Sequence, residues 1–194
     1  MMLTLYFSPG SSAMATHIAL HEIGVPFATK LVSLANGEQH SQDYLAINPE
    51  AKVPTLLIGG RPLTEVAATL YYLARRYPEA KLWPTGGIEE EAQVISWMSF
   101  IASTIHPARR IGLERWKEVF KLAEPRLGPN EWAVGGQYSI ADIHLFRLYW
   151  RFKTTTAPAS GEYPNLDRHF ARMTARPAVQ KAIEIESRIG YQLP

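Results

Sequence analysis

Three short stretches of the 194-residue sequence carry side chains arranged for chemistry. The first is Gly10-Ser11-Ser12, which follows the run Leu3-Thr4-Leu5-Tyr6-Phe7 and precedes a helical pattern. A strand that turns into a helix there brings unpaired backbone N–H groups and the positive end of the helix dipole together, and both stabilise an anion. The hydroxyls of Ser11, Ser12 and Tyr6 are the candidate donors to it. The second stretch, Thr64-Glu65-Val66, opens another helix, where backbone N–H groups suit a ligand carboxylate and the Glu65 side chain suits an ammonium. The third is His106, just before Pro107, where an imidazole is placed to donate or take up a proton. Each also has a plain structural reading. One serine of the pair N-caps its helix, Glu65 complements a helix dipole, and His106 is a helix-end histidine.

Composition removes several other chemistries. The chain has no cysteine, which excludes a disulfide framework, a zinc ribbon, a CxxC redox site and a cysteine nucleophile. Thiol chemistry here must use a sulfur the protein does not own. His17 and His21 are four apart without an HExxH context, and the other histidines lack ligand spacing, so no metal site is expected. A net charge of +2, with Lys and Arg scattered, argues against a nucleic-acid partner. Apolar runs fall well short of the ~18 residues of a membrane span, and no secretory leader is visible. A cytoplasmic protein without membrane association is the expectation.

The elements that must position these groups fall into two textures. In the first eighty residues, Leu3 to Phe7 reads as a strand, Ser12 to Glu22 as a helix closed by Gly24, and Phe27 to Leu34 as a second strand. A short helix is expected near Ser41 to Ala46. Val53 to Ile58 and Arg61 to Leu63 flank Gly59-Gly60 as a hairpin, and Thr64 is the expected N-cap of a helix carrying Val66, Leu70, Leu73 and Tyr77. The order β-α-β-(α)-β-β-α is a thioredoxin-like arrangement. Pro54, opening a central strand, fits a cis Val53-Pro54 bond, with the Val53 backbone left to pair with an extended ligand. Residues 78–87, with Pro78, Pro84 and Gly86-Gly87, read as a linker. Beyond it strand signals nearly vanish. Helices are expected over Ile88 to Ile105, ending before Pro107, and over Leu113 to Leu127 with an interruption near Pro125. Ser139-Ile140-Ala141-Asp142 is a capping box, and Pro164 to Thr174 and Pro177 to Ser187 complete the set. The expected organisation is therefore an α/β domain over 1–77, a linker over 78–87 and an all-helical domain over 88–194.

Tyr6-Phe7-Ser8-Pro9-Gly10-Ser11-Ser12, Asn48-Pro49 leading to Lys52-Val53-Pro54, Leu63-Thr64-Glu65 and Ser139-Ile140-Ala141-Asp142 together resemble the cytosolic glutathione transferases. The bacterial beta-like branch is the most similar, through Ala15-Thr16-His17-Ile18-Ala19-Leu20 and His106, with serine where that branch usually has cysteine. The resemblance spans nearly the whole chain. It implies a thioredoxin-like glutathione-binding domain, a helical domain, a homodimer, and addition of glutathione to small, hydrophobic electrophiles. It also implies roles. Val53 and Pro54 would pair with the peptide backbone of glutathione, Glu65 and Val66 would hold its γ-glutamyl end, and Gln39, His40 and Lys52 are candidates for the glycine end. Ser99 and His106 would approach from the helical domain. A thiol of pKa about 8.5 needs about 2.7 kcal/mol of preferential stabilisation to fall by about two units. A hydroxyl bond to sulfur supplies roughly 1.5–3 kcal/mol and the helix dipole up to about 1–2. The beta-like alignment selects Ser12 and the delta- and theta-like alignment selects Ser11, with Tyr6 a third choice. Val66 stands where relatives usually have serine, a lost contact of about 1 kcal/mol. Trp97, Phe100, Trp116 and Phe120 are either core or the wall of an electrophile pocket, and the segment between His106 and Gly135 is shorter than in typical members. A non-catalytic binding or scaffold protein and a glutathione-dependent isomerase or dehalogenase are the alternatives.

Overall fold

The computed structural model describes residues 2–134 and 136–191. Packing divides the chain into two units, one formed by the chain up to Tyr77 together with the chain from Pro177 onward, the other by Pro78–Arg176.

The first unit is built on β1 (Leu3–Phe7), β2 (Phe27–Leu31), β3 (Thr55–Ile58) and β4 (Arg61–Thr64), in the sheet order β2-β1-β3-β4. β1 runs parallel to β2, with Leu3 opposite Phe27, and antiparallel to β3, with Tyr6 opposite Thr55. The β3–β4 hairpin turns on Gly59 and Gly60 at φ 56° and 86°, the double positive φ that a two-residue turn of matching twist demands. α1 (Ala13–Ile23) ends on Gly24 in the left-handed conformation. α2 (Gln42–Leu45) is a single turn capped by Ser41, and α3 (Val66–Arg76) follows β4. Leu3, Leu5 and Phe7 alternate onto one face of the sheet and join Ile18, Leu20, Leu56, Leu70 and Leu73 in a core almost closed to solvent.

The second unit is helical: α4 (Ile88–Phe100), α5 (His106–Ile111), α6 (Leu113–Leu127), α7 (Ile140–Thr156) and α8 (Pro164–Thr174). Every residue of α7 from Ile140 to Phe152 is buried, so it is the central helix of the unit, apolar or shielded all round. Phe120, Tyr149, Phe152 and Tyr163 pack about it as an aromatic cluster with centroids 4.5–6.5 Å apart. Asp142 closes the expected capping box with Ser139. Among the described residues, no helix is long and apolar enough to cross a membrane.

Four expectations change. Thr64 ends β4, and Glu65 is the N-cap residue instead. The second strand stops at Leu31 rather than Leu34. The helix does not end before Pro107: a π-helical turn over Ile101–Ile105 carries it into α5, where Pro107 sits in the first turn and its missing N–H is no loss. Likewise α6 runs through Pro125 to Leu127; the carbonyl that proline cannot serve belongs to exposed Lys121, within reach of water. A larger difference concerns α9 (Pro177–Ile189), expected in the helical domain. It packs on α1 in the first unit, because α1 is buried from Ala13 to Leu20 and needs cover beyond the sheet and α3.

Candidate active site

The turn between β1 and α1 is held by its own hydroxyls and by one remote carboxylate. The Ser11 N–H donates to the Ser8 carbonyl at 3.0 Å, and the Ala13 N–H donates to Ser11 Oγ at 3.2 Å. The Met14 and Ala15 N–H groups are taken by the Ser11 and Ser12 carbonyls. Gly10, at φ 74°, donates its N–H to Glu186 Oε2 of α9 at 2.7 Å. The second oxygen of Glu186 meets His17 Nδ1 of α1 at 2.9 Å, both groups being buried. The expected row of unpaired N–H groups is therefore largely satisfied from within, because the chain turns tightly enough for its own oxygens to reach them. Ser11 is buried, Ser12 is half-buried, and Ser12 does not cap α1 with its side chain.

Ser12 Oγ donates instead to the Val53 carbonyl at 3.0 Å. The Val53–Pro54 bond is cis, as expected. The Val53 N–H makes no hydrogen bond among the described residues, whereas its carbonyl, expected to be open, is already shared with Ser12. The loop leading to it is pinned one residue earlier. Tyr44 Oη donates to the Lys52 carbonyl at 2.5 Å and Asn48 Nδ2 donates to the same oxygen at 2.8 Å, while Asn48 also reaches Thr55 Oγ1. Burial raises the Tyr44 phenol above its usual range, which keeps it a donor. Tyr6 lies on the face of β1 opposite Phe7, its ring 5.7 Å from Tyr44 and beneath the Lys30 ammonium.

At the start of α3, Glu65 adopts φ 66° and ψ 127°, a conformation that costs a non-glycine residue about 1–3 kcal/mol. Its carboxylate is exposed and pairs with no cation among the described residues. Val66, in the first turn, is buried. Thr69 Oγ1 bonds the Val66 carbonyl and Thr16 Oγ1 of α1, fixing this helix start to the other one.

This geometry has counterparts. Residues 1–75 match the family model for the glutathione S-transferase N-terminal domain and residues 95–177 the model for its C-terminal domain. The glutathione S-transferase GstA of Escherichia coli O157:H7 is 30% identical, over 94% of this chain and 98% of its own. The chain belongs to the glutathione S-transferase family. Among solved structures, a bacterial beta class glutathione S-transferase from Sphingomonas chungbukensis is 33% identical with a TM-score of 0.82, covering 94% of this chain and 98% of its own. A glutathione transferase homologue from Sulfitobacter, solved with bound glutathione, is 32% identical with a TM-score of 0.83, covering 95% and 98%.

The remaining residues suggested by the glutathione S-transferase resemblance are more dispersed. The Lys52 side chain is exposed and meets Glu50 at 3.4 Å. His40 is exposed, while Gln39 turns its amide oxygen inward without a hydrogen-bond partner. Ser99 on α4 is exposed, and His106 opens α5 half-buried; both belong to the second unit. Trp97, Trp116 and Phe120 are core, with Trp97 Nε1 donating to the Ala133 carbonyl. Among the described residues, no three His, Asp or Glu side chains gather as metal ligands. The sequence pointed to no role for Glu186, Tyr44, His17 or Asn48, although the last two stand in the motifs that carry the resemblance. For Glu186 a signal existed: it continues the buried stripe Val179 and Ala182 of α9, so a charge falls on an apolar face.

Proposed function

We propose that the chain is a glutathione transferase of the beta-like branch, with serine in place of the cysteine that would lie beside the bound thiol. Glutathione lies along the Val53 N–H and the start of α3, and its thiolate accepts a hydrogen bond from Ser11. The observation that carries the reading is Glu65: an exposed, unpaired carboxylate held at positive φ on a helix start, where a γ-glutamyl ammonium and carboxylate meet opposite charges. The strain at Glu65 has no packing return, since its side chain is exposed; it is the kind of outlier that a ligand site sustains.

Ser12, whose hydroxyl donates to the Val53 carbonyl, stands second as donor. Ser11 receives the Ala13 N–H on its oxygen, which polarises the hydroxyl as a donor. Tyr6 faces Tyr44 and ranks third. Gln39, His40 and Lys52 serve the glycine end, and the electrophile is small. The protein acts in the cytoplasm as a homodimer, for which α3 offers an outer groove of about 470 Å³ lined by Leu63, Ala68, Tyr71 and Tyr72 beside Arg75 and Arg76.

The decisive experiment follows the ultraviolet thiolate absorbance of bound glutathione against pH. The wild-type complex should titrate below the free thiol. Ser11→Ala should return the pKa to about 8.5, while Ser12→Ala should leave it lowered. An unlowered thiol in the wild type overturns the mechanism, and loss of the shift in Ser12→Ala alone reassigns the donor. Glu65→Gln should raise KM for glutathione by about tenfold, with kcat little changed, as expected for a lost charged contact.

A further inference from the structure

α9 presents a buried stripe to the first unit, and one residue of that stripe is charged. Val179, Ala182 and Glu186 stand at spacings of three and four and are all buried, Glu186 completely. A leucine at 186 would continue the stripe and avoid the desolvation of a carboxylate, and apolar replacements of buried charges are often neutral or stabilising. Packing alone therefore does not require Glu186, and its two contacts show what does.

Oε2 accepts the Gly10 N–H at 2.7 Å, the short length of a charge-assisted bond. Oε1 meets His17 Nδ1 at 2.9 Å, with both side chains almost closed to solvent. The His17 ring is held in turn by the sheet. Its centroid lies 5.2 Å from that of Phe7 at the end of β1, and 5.9 Å, edge-on, from that of Phe27 at the start of β2. The sheet thus orients His17, His17 orients the Glu186 carboxylate, and Glu186 holds Gly10. Every link lies within the first unit. Gly10 needs an outside hold: at φ 74° a glycine meets no steric cost, and for the same reason it leaves that conformation more easily than any other residue. Ser11 follows it directly, so its hydroxyl moves with the Gly10 peptide.

We infer that Glu186 is a positioning residue for thiol activation: by clamping Gly10 it holds the Ser11 hydroxyl where the thiolate of bound glutathione accepts from it, and His17 braces the clamp. The inference rests on Ser11 being the donor to sulfur. It adds that the donor is placed by a helix from the far end of the sequence, 176 residues away. A misplacement of about 1 Å in such a group costs up to about a hundredfold in rate, so the clamp acts on turnover rather than on binding.

The test compares the full-length wild type, Glu186→Leu and Glu186→Gln. Thiolate absorbance of bound glutathione is followed against pH, and addition of glutathione to a chloronitrobenzene is followed at steady state. Leucine stays close to the original volume and removes both acceptors, whereas glutamine keeps one. In Glu186→Leu the bound thiol should return toward about 8.5 and kcat should fall at least about tenfold, while KM for glutathione changes by less than about twofold because Val53 and Glu65 are untouched. Glu186→Gln should lie between the two. A thiol still lowered at wild-type kcat in Glu186→Leu, or a rise in KM alone, overturns the positioning role. An unlowered thiol in the wild type overturns the donor reading itself, and is seen before any variant is made. One measurement needs no variant to fold. The Gly10 amide proton of the wild-type protein should resonate far downfield and exchange slowly, as a buried charge-assisted bond requires. A fast-exchanging amide at the ordinary glycine position overturns the clamp.

Discussion

Two buried carboxylates, Asp142 in the helical unit and Glu186 on α9, use the same chemistry over very different spans of chain. Asp142 Oδ1 accepts the Ala133 N–H at 2.8 Å and meets His169 Nε2 at 3.0 Å, while Oδ2 accepts the Ser139 N–H at 2.9 Å. Glu186 likewise meets a backbone N–H and a histidine, one on each oxygen: the Gly10 N–H on Oε2 and His17 on Oε1. Each therefore joins a backbone turn to a histidine on a neighbouring helix. The difference is reach: the Asp142 contact to Ala133 spans 9 residues, and the Glu186 contact to Gly10 spans 176. The local carboxylate fixes the start of the central helix and so serves the fold. The remote one fixes the turn that carries Ser11 and Ser12 and so serves the candidate site.

The comparison breaks most visibly at Asp142. Asp142→Ala removes an acceptor from two backbone N–H groups, the Ser139 hydroxyl and His169 at once, and should cost about 3–5 kcal/mol of stability in urea unfolding. Thiolate absorbance of the variant that remains folded should be unchanged. Glu186→Gln keeps the volume and one acceptor, so a smaller loss of about 2 kcal/mol is expected. Here the thiolate titration should move too, since Gly10 loses its charged anchor. A Glu186→Gln variant that loses stability but leaves the thiol pKa untouched would reduce Glu186 to a structural contact.

A further test is read with pH, and it compares the two units through a histidine in each. Burial, with His17 and Lys181 nearby, lowers His21 from 6.5 to about 4, and burial with His106 and Arg147 lowers His144 to about 3. Both are neutral in the native state, whereas the unfolded chain takes up protons below pH 6.5. Stability is thus complete above that value and falls as pH drops toward the native pKa values. Per fully shifted histidine the slope is about 1.4 kcal/mol per pH unit, and less for half-exposed His21. Urea unfolding between neutral pH and about pH 5 should show the slope, and His144→Phe should flatten it more than His21→Phe.

What could be read from the sequence follows the same division between local and remote. The capping box at Ser139, the glycine pair of the hairpin and the Gly24 helix stop are set by neighbours within a few residues, and each stands where its residue types require. Glu65 was legible as a carboxylate at a helix start for the same reason, though its place as N-cap was not, because Thr64 still pairs with Thr55 in the sheet. The continuity of the helix across Pro107 depends on a widened π turn that no local preference announces. The contact of Ser12 with Val53 and the clamp of Glu186 on Gly10 arise only when distant segments meet. A charge on the buried stripe of α9 was the one trace they left in the sequence.

The packing of α9 on α1 also fixes an order of events. A ribosome delivers the chain amino end first, so Gly10, Ser11 and Ser12 emerge early. Their turn waits for its carboxylate until residue 186 has followed. The first part of the molecule to be made is the last to be finished, and a nascent chain released before α9 would carry the turn of Ser11 and Ser12 without its carboxylate anchor.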